Sequence, residues 1–149
     1  VITMIQMKVG PWVIETDVNL TKNFYNNYHV ITKDCSCDYC ANYILACAKF
    51  PPEIKNFFDS LGIDPCKEGE ISHYIENKDG THLYSAFYHI IGRVITKPQV
   101  WELPNNEISI FSLAGYEIGF SEDLDLVPEG FPTPTIQVEI EMTIPWLLS

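Results

Sequence analysis

Three cysteines, Cys35, Cys37 and Cys40, fall within six residues of the run Asp34-Cys35-Ser36-Cys37-Asp38-Tyr39-Cys40. Thiols so close together can hold a soft metal, exchange with disulfides, or simply pack. Tetrahedral zinc takes four thiolate or imidazole ligands, and a close pair such as Cys37 and Cys40 supplies two of them. Cys35 offers a third, and Cys66 or His89 could approach from a distance, although the usual second close pair is missing from the sequence. The redox alternative rests on the Cys-x-x-Cys spacing of Cys37 and Cys40 at an expected helix start, where exposed amide dipoles favour thiolates. Asp34 and Asp38 oppose that effect by bringing negative charge beside the sulfurs. Reduced, partly buried thiols with no ligand are the third reading, because Cys40, Ile44 and Cys47 also form one helical stripe.

His89 stands in Phe87-Tyr88-His89-Ile90-Ile91-Gly92-Arg93, an apolar stretch expected to be a central strand. A histidine there needs a hydrogen-bond partner, either as a satisfied core residue or as a ligand or base. Aromatic residues gather in the same half of the chain, with Tyr74, Tyr84, Tyr88, Trp101, Tyr116 and Trp146 able to fill a core or line a pocket. Glu122, Asp123 and Asp125 lack the glycine and closing glutamate of a calcium loop and read as an acidic turn.

The elements that must position these residues divide into early helices and late strands. Extended character around Gly10 to Ile14 is followed by a polar stretch, Asn19 to Asn27, anchored by Phe24, Tyr25 and Tyr28, whose state the pattern leaves open. A short strand at Val30 to Thr32 should lead to a helix from about Cys35 to Lys49, capped by Asp34. Pro51-Pro52 ends that helix and opens another, Pro52 to Leu61, with Ile54, Phe57, Phe58 and Leu61 inward and Gly62 as its left-handed stop.

Ile71 to Glu76, the turn Asn77-Lys78-Asp79-Gly80 and Thr81 to Val94 read as a hairpin whose second arm is apolar on both faces and therefore covered. Further strands are expected near Gln99 to Leu103, Ile108 to Leu113, Tyr116 to Phe120 and Thr135 to Ile144. The last alternates, with Ile136, Val138, Ile140 and Met142 inward and Gln137, Glu139, Glu141 and Thr143 toward water. The expected fold is α+β, one domain over residues 1–149, with two helices from the first half on a mostly antiparallel sheet that could curl toward a barrel.

Of the 149 residues 46% are hydrophobic and 19% charged, a globular composition with no apolar run long enough for a membrane helix. The formal charge of −11 is uneven, since no Lys or Arg follows Lys97. Glu102, Glu107, Glu117, Glu122, Asp123, Asp125, Glu129, Glu139 and Glu141 all lie beyond it. Such a field disfavours nucleic acid and anionic lipid and favours cationic partners, while also serving solubility. Five cysteines cannot all pair within one chain, and Val1 to Met7 has no signal-like basic and apolar regions, so the expected compartment is the cytoplasm.

The runs Asp34-Cys35-Ser36-Cys37-Asp38-Tyr39-Cys40-Ala41-Asn42, Leu61-Gly62-Ile63-Asp64-Pro65, Lys67-Glu68-Gly69-Glu70 and Phe87-Tyr88-His89-Ile90-Ile91-Gly92 resemble a family of small bacterial proteins of Firmicutes type that carries no established activity. The resemblance implies that Asn42, Lys67, Glu70, Tyr88 and His89 are candidate ligand-binding residues. It places Cys37, Cys40 and Asp64 in the same motif and leaves Cys47 and Cys66 outside it. The sequence therefore points to a bacterial cytoplasmic protein that acts by binding an unidentified protein or small ligand, cationic in character, through an acidic surface and without a cofactor. The alternative is a zinc- or thiol-dependent enzyme, with Cys35, Cys37, Cys40 and His89 as metal ligands and Tyr88 and Glu70 nearby.

Overall fold

A computed structural model describes residues 3–28, 37–67, 70–97, 111–122, 124, 127–128 and 130–148. Its strands are β1 (Ile5–Val9), β2 (Trp12–Thr16), β3 (Glu70–Glu76), β4 (Thr81–Thr96), β5 (Phe111–Leu113), β6 (Tyr116–Ser121) and β7 (Thr135–Pro145), and its helices α1 (Val18–Asn26), α2 (Asp38–Cys47) and α3 (Pro52–Leu61). The fold is α+β. The described strands pair antiparallel in the order β1-β2-β4-β7-β6-β5, with β3 also on β4, and the sheet stays open.

The central strand is β4, in register with β7 from Thr81↔Pro145 to Ile91↔Thr135. Its other edge is shared: β3 pairs with His82 to Phe87, and β2 with Gly92 to Thr96. Between them the main chain of His89 and Ile91 faces no strand, and α1 closes the gap with side chains. The Tyr25 hydroxyl donates to the His89 carbonyl at 2.9 Å and accepts from the His89 amide at 3.0 Å. Thr21 Oγ1 accepts from the Ile91 amide at 3.1 Å, while the Thr16 hydroxyl and the Asp17 amide donate to the Ile91 carbonyl. Buried peptide groups left unpaired there would each be costly, so these polar side chains hold the sheet together as a strand would.

That arrangement explains why α1 is hard to read from sequence. Thr21 and Tyr25, one turn apart, are its buried residues, and both face inward to make hydrogen bonds. Asp17 caps the helix by accepting from the Leu20 amide at 2.9 Å and also holds the Thr3 amide at 2.7 Å. These two bonds keep the Asp17 carboxyl below its ordinary pKa. The fold thus has three described helices where the pattern called for two.

Helix α3 runs from Pro52, in its first turn, to Leu61, with Gly62 left-handed at φ 79° as expected. A Cβ on Gly92 would lie 2.1 Å from the Glu15 carbonyl oxygen, so only glycine lets β2 cross against β4. Helix α2 begins at Asp38, later than the expected start at Cys35, with Cys37 as its cap. Asp34, Cys35 and the expected strand Val30 to Thr32 lie outside the described residues, as does the expected strand Gln99 to Leu103. Of Ile108 to Leu113 only Phe111–Leu113 is described, as β5.

The core lies between the helices and one face of the sheet. Tyr84, Ala86, Tyr88 and Ile90 of β4 meet Tyr43, Phe50 and Phe58, with Phe58 and Tyr88 rings 5.0 Å apart. On β7 the alternation holds except at Gln137, which is buried and donates to Glu139 Oε2 at 3.0 Å. Gln137 pairs with His89, whose ring meets Phe131, so this end of the sheet is covered on both faces. No described helix is long and apolar enough to cross a membrane.

Candidate thiol and histidine site at the start of helix α2

The buried stripe of α2 is Cys40, Tyr43 and Cys47 with Asn42 and Ala46 beside it, which seats the helix on β4 and turns its first residue outward. Cys37 caps the helix with extended backbone, makes no side-chain capping bond and is exposed. Its thiol donates to Cys40 Sγ at 3.4 Å, and Cys40 is buried. One accessible sulfur and one sheltered sulfur thus touch at the positive end of a helix dipole, with Asp38 in the same turn.

Tyr39, between the two cysteines, leaves the core and stacks on His73 of β3, centroids 4.0 Å apart and planes 11° from parallel. His73 Nε2 and His82 Nδ1 share a hydrogen bond of 2.7 Å across the β3–β4 hairpin. Trp146, just past β7, packs against His82 at 4.7 Å and meets the Tyr39 ring edge-on. Beneath them the Tyr84 hydroxyl donates to the Tyr39 carbonyl at 3.0 Å. Burial pushes the Tyr84 pKa up to about 12, and the Cys40 and Cys37 sulfurs add to the rise, so the phenol stays a neutral donor. Desolvation and the neighbouring His82 lower the His73 pKa, against a smaller opposing pull from Glu76.

Sequence reasoning missed His73, His82, Tyr39 and Trp146 as a group. They come from three separate regions of the chain, and a bulge between His73 and Ile75 sets which side chains share a face. The hairpin itself was the available signal, since it brings His73 and His82 to opposite arms.

Of the residues singled out for ligand binding, Asn42, Tyr88 and Lys67 make hydrogen bonds within the fold. Asn42 is fully buried, its amide donating to the Pro145 carbonyl at 3.1 Å and its Oδ1 accepting from the Leu147 amide at 2.6 Å. The Tyr88 hydroxyl bonds to Tyr43 and donates to the Pro65 carbonyl at 2.6 Å. Lys67 Nζ donates to the Tyr25 carbonyl at 2.6 Å and lies 3.8 Å from an Asp64 carboxylate oxygen. The backbone of Glu70 pairs with Phe87, and its side chain lies outside the described residues.

His89 is fully buried against Phe131. Successive residues of a strand face opposite ways, so His89 points away from the side on which its neighbour Tyr88 meets α2. The structure therefore brings Cys37 and Cys40 together but does not bring His89 to them, and Cys35 lies outside the described residues. Among the described residues no three His, Cys, Asp or Glu side chains converge as a metal site. Comparison with protein-family models, with curated proteins and with solved structures gave no match to this chain.

Proposed function

We propose that this protein is a cytoplasmic dithiol protein that exchanges electrons with disulfides of a partner protein through Cys37 and Cys40. The observation that carries the reading is the 3.4 Å contact between an exposed sulfur at the helix cap and a buried sulfur one turn on. In the exchange, the Cys37 thiolate attacks one sulfur of the partner disulfide, forming a mixed disulfide and releasing one partner thiolate. Cys40 then loses its proton and attacks the Cys37 sulfur, which releases the second partner thiol. The partner disulfide gains two electrons and the Cys37–Cys40 pair becomes a disulfide.

Tyr39, between the two cysteines in sequence and edge-on to Trp146, offers apolar area for a partner to cover and is 45% exposed. The test is equilibration in glutathione redox buffers followed by mass-spectrometric mapping. The expected result is a Cys37–Cys40 disulfide that forms and reverses with the glutathione ratio, and a Cys40→Ser variant that accumulates glutathione on Cys37. Absence of that disulfide at every ratio, or stoichiometric zinc holding the thiols in protein purified without added metal, overturns it.

A second reading, non-catalytic binding of a cationic partner, is favoured by the sheet face away from α2 and α3. There Glu117 and Glu141 stand directly opposite each other and both are exposed, with Glu139 further along β7. Like charges so paired repel, a cost that a basic partner would relieve. This reading expects partner association to slow as salt is added, and salt-independent association excludes it.

A further inference from the structure

Helix α2 carries a second thiol close to another cysteine of the chain at its other end. Cys47 is the last residue of α2 and is buried; Cys66 lies in the loop that follows α3 and is half-buried. The Cys47 thiol donates to the Pro65 carbonyl at 3.5 Å, the residue just before Cys66, which sets its sulfur beside the Cys66 main chain. The loop around Cys66 is itself held firmly. Its Pro65 carbonyl accepts from Tyr88, the Cys66 amide donates to Asp64 Oδ1 at 3.0 Å, and Lys67 grips the Tyr25 carbonyl.

We propose that Cys47 and Cys66 are a second reversible dithiol, closed by a small disulfide such as glutathione disulfide, which staples the end of α2 to the loop leading into β3. Cys66 is the entry point because it is the more accessible of the two. Its thiol, whose pKa the neighbouring Cys47 thiol lowers against burial and the Asp64 charge, provides the attacking thiolate. That thiolate attacks one sulfur of glutathione disulfide, giving Cys66 bonded to glutathione and a released glutathione thiolate. Cys47 then loses its proton and attacks the Cys66 sulfur, and a second glutathione thiol leaves. Two electrons pass to glutathione disulfide, and the new bond closes a loop containing all of α3.

The consequence is mechanical. Loop closure restricts the unfolded chain, and the loop of roughly 20 residues is long enough for the effect to be measurable. The staple also fixes the loop carbonyl that Tyr88 holds, so it tightens the helical layer against β4. This device is separate from the exchange at Cys37 and Cys40, which it would stabilise from the opposite end of the helix.

The test uses the full chain incubated with glutathione disulfide, then alkylated and digested without reduction. Trypsin cuts after Lys49 and Lys55, so Cys47 and Cys66 fall in different peptides. The expected result is a linked Cys47–Cys66 peptide and a Tm several degrees higher than that of the reduced protein. The rise should survive in a Cys37→Ser, Cys40→Ser double variant and vanish in Cys66→Ser. A product in which Cys66 carries only glutathione, or a rise in Tm that persists in Cys66→Ser, overturns the staple. Failure of the Cys37–Cys40 exchange leaves these readouts unaffected, so the two readings stand or fall separately.

Discussion

The two ends of helix α2 make opposite use of polar side chains. From Asn42 onward they turn inward: Asn42 ties down Pro145 and Leu147, Tyr43 meets the Tyr88 hydroxyl, and Cys47 reaches the Pro65 carbonyl. In the first turn they turn outward, with Cys37 exposed and Tyr39 stacked on a histidine of the neighbouring hairpin. Inward polar groups whose partners are main-chain atoms specify how elements dock. Outward ones are left accessible, and that contrast is why the functional reading rests on Cys37 and Cys40 rather than on Asn42 or Tyr88.

The comparison is broken most forcefully by Asn42→Ala. Its two hydrogen bonds to the main chain reach groups more than a hundred residues away, and the side chain is fully buried. Removing it strands the Leu147 amide and the Pro145 carbonyl, for an expected loss of about 3 kcal/mol. Denaturant unfolding measures the loss, and amide exchange at Leu147 should accelerate with it. A change below about 1 kcal/mol would show that water or a rearranged chain end replaces Asn42, and its architectural role would fall.

Much of the fold was legible because hydrophobic period and turn chemistry agree. Helix α3 lies between Pro52 and Gly62 as read, and β3, the Asn77 to Gly80 turn and β4 form the expected hairpin. Helix α1 was not legible, since its inward face is Thr21 and Tyr25 and their purpose, closing the gap on β4 at His89 and Ile91, depends on strands that meet only in three dimensions. The candidate site was half legible. Spacing alone pairs Cys37 with Cys40 and strand alternation sets Tyr88 and His89 on opposite faces, but no local signal tells which face the helices cover, or that Tyr39 comes to stack on the His73 and His82 pair.

Tyr88→Phe sharpens the inward half of the comparison at lower cost. The ring stays packed on Phe58 while the hydroxyl that serves Tyr43 and Pro65 is lost. The expected destabilisation is about 1 kcal/mol, because the Pro65 carbonyl keeps the Cys47 thiol while the buried Tyr43 hydroxyl loses its Tyr88 partner. Combined with Tyr43→Phe, the loss should be clearly less than additive, because both substitutions remove the same hydroxyl contact. Additivity in a double-mutant cycle would mean that the two tyrosines act independently.

The outward half is probed by pH at the hairpin. His73 has its pKa lowered in the folded protein, so the unfolded chain binds its proton more readily. Stability from this residue is present above its ordinary pKa of 6.5 and declines as pH falls from there toward the lower folded value. Protonating both rings would also break the 2.7 Å bond between His73 and His82. Unfolding midpoints measured from pH 8 to pH 5 should therefore fall more in the wild type than in His73→Gln. An equal fall in both would remove His73 as the cause.

The smallest expected change in stability comes from the residue with the largest expected effect on chemistry. Cys37 is exposed and makes no side-chain capping bond, so Cys37→Ser gives up little beyond the thiol contact with Cys40, which a hydroxyl can partly replace. Serine is a better cap, because its oxygen can accept from an amide in the first helical turn. The variant should match the wild type within about 0.5 kcal/mol and lean toward greater stability. It should lose all glutathione-dependent disulfide formation at Cys40. A large destabilisation would mean that the Cys37 sulfur holds the helix start in place, and the first turn of α2 would then belong with the architecture of its other end.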